Sequence, residues 1–205
     1  MNIILVRTGG VDAPAGTVLG QSDPPLAAHG FTATQRLAAS WSGPAPRFLF
    51  SSDLRRAAQC AQIFAAQFAL EPLLDPRLRE LDAGRWNGQT LQAIARDDRA
   101  LHAAWRERWA MQPAPGGESF TDLLRRTGAW LAALLDAAPE NTSVLALAHE
   151  GSIRALVCHA LGLPPQQARR LRVDPAHVTS ISHRAGRFEV SFVNASRFQD
   201  TARHD

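Results

Sequence analysis

Apolar runs punctuated by glycine and proline recur along the chain, and two of them share one form. Asn2-Ile3-Ile4-Leu5-Val6 is apolar at four successive positions and ends in Arg7-Thr8-Gly9-Gly10. That pattern predicts a strand buried on both faces of a parallel sheet, followed by a tight turn. Val144-Leu145-Ala146-Leu147-Ala148 repeats it, followed by His149-Glu150-Gly151-Ser152 and an apolar helix from Ile153 to Leu161. Between the two, Val11 to Pro25 reads as a loop and Gly30 to Trp41 as a first amphipathic helix. Arg47 to Phe50 is a short buried strand, and Ser51-Ser52-Asp53 offers N-cap chemistry to a helix from Leu54 to Phe68. Thr90 to Ala110 carries a helical aromatic stripe at Trp105 and Trp109, for which core packing is the first expectation and a substrate-facing wall the second. A long helix opens at Glu118-Ser119-Phe120 and runs to Ala138, and Gln166 to Arg172 is a short one. Val178 to Ser182 and Arg187 to Val193 form a closing hairpin at the sheet edge, and the polar tail after Ala195 is expected to be loose. Together the elements predict an α/β domain of three layers, a mainly parallel sheet between helices.

Composition narrows this only modestly. At 205 residues the chain is expected to be one domain, 45% hydrophobic and 20% charged, as in soluble globular proteins. No run approaches the roughly 18 apolar residues of a membrane span. Met1-Asn2 leads straight into a strand without a secretory pattern, and Cys60 and Cys158 have neither disulfide nor zinc spacing, so a reducing cytoplasm is expected. All 22 basic residues are arginine, yet the net charge is only +3 and they are scattered, which argues against a nucleic-acid partner. The densest basic run, Arg169-Arg170-Leu171-Arg172, reads as a solvated helix face. His29, His102, His159, His177, His183 and His204 show no ligand-like spacing, so neither metal nor cofactor is expected. The oligomeric state is left open.

The two strand ends carry the candidate chemistry, because open α/β sheets bind ligands at the carboxyl ends of their strands. Arg7 is suited to bidentate capture of a phosphate or carboxylate, and Gly9 and Gly10 let the backbone approach a ligand. A lone strand-end histidine is usually structural; His149 becomes a site candidate because it matches Arg7 in position. Arg56, in the first turn of its helix, points about 100° away from Arg55, so only one of the two need face the site. Glu80 either pairs with Arg79 or Arg85 at the surface or donates a proton to a leaving alkoxide.

Six segments in order resemble the histidine phosphatase, or phosphoglycerate mutase-like, superfamily: LVRTGG, GQSDPPLAAHG, SSDLRRAAQ, LRELDAGRWNGQT, PGGES and LALAHEGSIRAL. The GQSDPPLA stretch is most similar to the branch that includes α-ribazole phosphatases. The resemblance implies that Arg7, Arg56 and His149 bind phosphate and that Glu80 is the general acid. Gly20, Gln21 and Ser22, over the mouth of the site, are expected to meet a small phosphorylated molecule, and about residues 86–122 are expected to form a helical lid. One departure stands out. Where the family has the histidine that becomes phosphorylated, this chain has Thr8. Three readings stay open: slow phosphomonoester hydrolysis with His149 as substitute nucleophile or base, a module that binds without turnover, and an inactivated form of an ordinary phosphatase. Gly10 argues against the last, since relatives often carry glutamate there.

Overall fold

The structure, a computed structural model, describes residues 1–198. Six strands form one sheet: β1 (Asn2–Arg7), β2 (Phe48–Ser51), β3 (Pro72–Leu74), β4 (Ser143–Ala148), β5 (Val178–Arg184) and β6 (Arg187–Ala195), in the order β3-β2-β4-β1-β5-β6. The first four run parallel, while β5 and β6 close the sheet antiparallel. Six α-helices accompany them: α1 (Ala28–Ala39), α2 (Arg55–Phe68), α3 (Leu91–Asp97), α4 (Arg99–Arg108), α5 (Phe120–Ala137) and α6 (Glu150–Leu161).

The period-two alternation of the strands sorts their side chains into two layers. Ile3 and Leu5 of β1 pack with Trp130 and Leu134 of α5 and Ile153 and Leu156 of α6. Ile4 and Val6 pack on the other face with Leu37 of α1 and Ala61 and Phe64 of α2. The expected three layers are therefore present, with the apolar runs of β1 and β4 buried on both faces because helices cover both.

Several boundaries differ from expectation for local reasons. The helix expected from Ile153 starts at Glu150, directly after His149, whose backbone is still extended. The stretch after Thr90 breaks at Asp98, whose carboxylate accepts the Trp86 indole N–H at 2.7 Å and whose φ of −121° leaves the helical region. Ser52 and Asp53 do not supply the main cap of α2; the Arg55 N–H is capped by Asp23 of the distant loop at 2.7 Å. The short helix near Gln166 is a 3₁₀ turn over Pro165–Arg170. The strand β3 escaped notice because it is three residues long and begins with Pro72, which an edge position tolerates. The tail is not wholly loose: Phe198 is buried, with its ring centroid 4.2 Å from that of Trp41. The rest of the tail, with His204, lies outside the described residues.

Glycine at the end of β1 serves the fold as well as the ligand. A Cβ on Gly9 would lie 2.4 Å from the Gly30 carbonyl oxygen, and one on Gly30 would lie 2.1 Å from that of Gly10. The first turn of α1 thus rests directly on the loop that carries Thr8. The clash is with backbone that cannot swing aside, so Gly30→Ala is expected to lower stability by about 2–4 kcal/mol in urea unfolding. A loss below about 0.5 kcal/mol, the range of ordinary surface changes, would show that loop and helix separate easily.

Candidate active site

Sheet register assembles the site before any side chain is considered. Arg7 of β1 lies opposite Ala148 of β4, and Ser51 of β2 lies opposite Leu147. Arg7 and Thr8, His149, and Ser52 therefore leave three adjacent strands at one level, with Thr8 N–H donating to the Ala148 carbonyl at 3.0 Å. His149 Nε2 and Ser52 Oγ are 2.9 Å apart. Arg56 enters from the first turn of α2 and is only 2% exposed, whereas Arg55 is exposed. The structure thus brings Arg7, Thr8, Arg56, Glu80 and His149 together around one cavity.

Such crowding of cations demands acceptors. Arg56 donates to the carbonyls of Ser22 at 2.7 Å and Gly20 at 2.8 Å, which leaves three of its five guanidinium N–H groups uncommitted. Arg7 donates to the Val173 carbonyl and pairs with Glu150 at 2.8 Å. Burial still pushes the Arg56 pKa down, with nearby Glu80 and Asp23 opposing it. His149 feels burial first, then the positive fields of Arg56, Arg7 and Arg126, and its pKa lies well below the usual 6.5. Its imidazole is neutral at pH 7.

Glu80 is held by backbone, and it pairs with neither Arg79 nor Arg85. Its carboxylate accepts the N–H groups of Leu81 at 2.8 Å and Gly151 at 3.0 Å, the latter in the first turn of α6. Arg79 instead pairs with Asp53, holding that carboxyl below its usual range, and Arg85 pairs with Asp98. The segment is shaped by a residue that sequence reasoning passed over. Arg126 of α5 donates to the carbonyls of Arg77 at 2.8 Å, Arg79 at 2.9 Å and Glu80 at 2.8 Å, and pairs with Glu118 at 2.7 Å. Nothing in its spacing signals this, because its acceptors are main-chain atoms.

The loop over the mouth divides its labour. Gly20 lines the cavity, but Gln21 and Ser22 are not among the lining residues. Gln21 donates to the Glu80 carbonyl at 3.2 Å, and its own N–H is fixed by Asn87 at 3.1 Å. Above the floor formed by Arg7, Arg56 and His149 the cavity, about 470 Å³, is walled by Trp86, Ile94, Trp105, Trp109 and Phe120. Trp105 and Trp109 are half-buried; each packs against a buried cluster, as first expected, and each also lines this wall. Arg169 is exposed, as expected of its basic run, and its guanidinium also lies over both rings. Of the charged lining residues, Glu150, Arg154 and Arg169 were not among the site candidates.

These residues build an α/β domain with an arginine-rich cavity at the carboxyl ends of a mainly parallel sheet. The chain belongs to the histidine phosphatase superfamily (branch 1), whose family model matches residues 3–196. It is 31% identical over 184 residues to a probable phosphoglycerate mutase of Proteus mirabilis, covering 89% of this chain and 85% of that protein. Among solved structures it is similar to the mycobacterial glucosyl-3-phosphoglycerate phosphatase complexed with VO3 (32% identity, TM-score 0.85, 95% and 98% of the two chains). It also shares its fold with a putative alpha-ribazole-5'-P phosphatase of Escherichia coli (TM-score 0.89, 97% and 98% covered) at 23% identity.

The depressed His149 pKa has a definite pH signature. Above about 6.5 the imidazole is neutral in both folded and unfolded chains; below it, the unfolded chain takes up a proton that the native state refuses. Stability is therefore expected to fall with acid from about pH 6.5, by up to about 1.4 kcal/mol per pH unit from this group. Urea midpoints between pH 7.5 and 5.5 should show a flatter slope for His149→Asn than for wild type. Equal slopes would mean that His149 is protonated in the native state.

Proposed function

We propose that this chain binds inorganic phosphate or a small phosphomonoester on Arg7, Arg56 and His149, and that its turnover is reduced or absent because Thr8 stands at the family's nucleophile position. The observation that carries this reading is the convergence of two guanidiniums and a neutral imidazole on the cavity floor beside Thr8. Unpaired with an anion, that arrangement concentrates like charge in a partly dry site, and a tetrahedral oxyanion relieves it. The mycobacterial relative complexed with inorganic phosphate, 31% identical at a TM-score of 0.84, supports the same ligand chemistry.

The remaining groups fit the roles that the family resemblance assigns. Arg7 and Arg56 would hold the phosphoryl oxygens and stabilise the charge that develops on them. Glu80, placed against the start of α6, would hand a proton to the leaving oxygen. Thr8 breaks the sequence of events, since a hydroxyl without an adjacent base is a weak nucleophile and forms no phosphohistidine. A slower route, favoured by the neutral state of His149, has that imidazole accept the proton of an attacking water. Its Nε2 is committed to Ser52, which leaves Nδ1 for that work. A module that holds phosphate without any turnover is the alternative. The two buried, unpaired cysteines support placement in a reducing compartment.

Two measurements decide among these. Phosphate should raise the melting temperature of wild type by preferential binding to the native state, and Arg7→Ala should abolish the shift. An undiminished shift in that variant would place the anion elsewhere. Thr8→His should create or greatly increase phosphatase activity, with an acid-labile phosphohistidine trapped by rapid quench in the variant and none in the parent. Thr8 lines the cavity, so the larger ring extends toward the ligand. Equal rates and no phosphoenzyme in either protein would show that Thr8 is not the vacated nucleophile position.

A further inference from the structure

One buried hydroxyl among the described residues lacks a hydrogen-bond partner, and it stands in the cavity floor. Thr8 is only 5% exposed and lines the cavity beside Arg7, Arg56 and His149. Every other buried serine or threonine hydroxyl is engaged. Thr34 donates to the Gly30 carbonyl at 2.9 Å, Thr127 to that of Leu123 at 2.9 Å and Ser152 to that of Leu78 at 3.0 Å. Ser52 meets His149, and even Thr179 accepts the Asn194 N–H at 3.4 Å. Among the described residues, the unpartnered side-chain atoms sealed from solvent are the indole nitrogens of Trp105 and Trp130. The Thr8 oxygen is not one of them, so its small opening faces the cavity.

The backbone fixes this hydroxyl in place without competing for its partner. The Thr8 N–H donates to the Ala148 carbonyl at 3.0 Å, and the Thr8 carbonyl shares the Ala176 N–H with that of Arg7, at 3.4 and 3.0 Å. The Gly9 N–H donates to the Cys60 Sγ at 3.4 Å. The main-chain donors of residues 8 and 9 are thus spent, and the Thr8 O–H is the donor that this turn offers the cavity. A β-branched side chain is stiff at χ1, so little rotamer freedom is lost when a ligand takes the bond. A buried hydroxyl left unpaired is destabilising, and a ligand that accepts from it relieves the loss. With two guanidiniums beside it, the acceptor favoured over water is an anion.

We propose that Thr8 is an anion-binding residue in its own right, whose hydroxyl donates to the oxyanion held by Arg7 and Arg56. This deepens the phosphate-binding reading above and rests on it. The position is then part of the cradle, and no bond to phosphorus forms or breaks there. A tetrahedral oxyanion suits it, because one oxygen turns toward Thr8 while others face the two guanidiniums. A hydroxyl carried directly on Cβ also ends nearer the main chain than an imidazole nitrogen, so the anion it binds sits deeper in the floor.

The test is titration calorimetry of wild type, Thr8→Val, Thr8→Ser and Arg7→Ala with inorganic phosphate, together with urea unfolding in phosphate-free buffer. Valine keeps the shape of threonine and removes only the hydroxyl, so Thr8→Val should bind phosphate about tenfold more weakly than wild type, the weight of one hydrogen bond to a charged acceptor. Thr8→Ser keeps the donor and should stay within about threefold of wild type on the same scale. Without phosphate, the urea midpoint of Thr8→Val should match or exceed that of wild type, because the hydroxyl it loses has no partner in the protein. Phosphate affinity equal in wild type and Thr8→Val, but lost in Arg7→Ala, would overturn the role of Thr8 and leave the phosphate reading intact. Serine as weak as valine, or a lower phosphate-free midpoint for Thr8→Val, would overturn the same role. Wild type that binds no phosphate would overturn both.

Discussion

Positive charge concentrated at three strand ends is the constraint around which this molecule is arranged. The parallel pairing of β4 with β1 and β2 places Arg7, His149 and the start of α2 within side-chain reach, and Arg56 then brings a second guanidinium that is almost wholly buried. Buried like charges are unfavourable unless acceptors surround them. The Gly20–Ser22 loop is folded so that its carbonyls meet Arg56, the Val173 carbonyl meets Arg7, and two glutamates supply countercharge. Burial first, and the same field second, keep His149 neutral although a histidine in water would be partly protonated near pH 6.5.

That arrangement is supported from a distance. Arg126 gathers three successive regions of main chain between Arg77 and Glu80, and Glu118 neutralises it. Asn87 holds Gln21 and Ala83 through one oxygen, joining the mouth loop to the start of the 86–122 region. Glu80 therefore reaches Gly151 as the end of a braced segment. Hydrogen bonds of this kind contribute about 1 kcal/mol each to stability, and their larger consequence is positional, since catalytic and binding groups must be held to within a fraction of an ångström. The loop bearing Thr8 is held from the other side, packed against α1 with no space for a Cβ at Gly9 or Gly30.

The sheet and its ligand-facing edge were legible in the linear sequence because each depends on local chemistry. Four apolar residues in succession have only one economical location, a strand covered on both faces, and a polar residue followed by glycine immediately beyond such a strand emerges at its carboxyl end. Arg7, Thr8 and His149 could be singled out on that ground, and Arg56 by its place one turn past a strand and by family resemblance. The helices were legible in kind, though their ends were not. Arg55 is capped by Asp23, a partner 32 residues away, and no pattern in residues 51–54 reveals that.

What the sequence alone determined, then, is the α/β layering and the emergence of Arg7, Thr8 and His149 at the strand ends, because hydrophobic periodicity and turn chemistry act over a few residues. What the tertiary structure decided is which of the 22 arginines do what. Arg79 and Arg85 lie near Glu80 in sequence but pair with other carboxylates, while Arg126 reaches its carbonyls from 46 to 49 residues away. Arg169 sits in a run that looks solvated, and only the packing of α4 beside the 3₁₀ turn lays it across two tryptophans. A guanidinium's role is set by the acceptors and rings that converge on it, and convergence is a property of the folded chain.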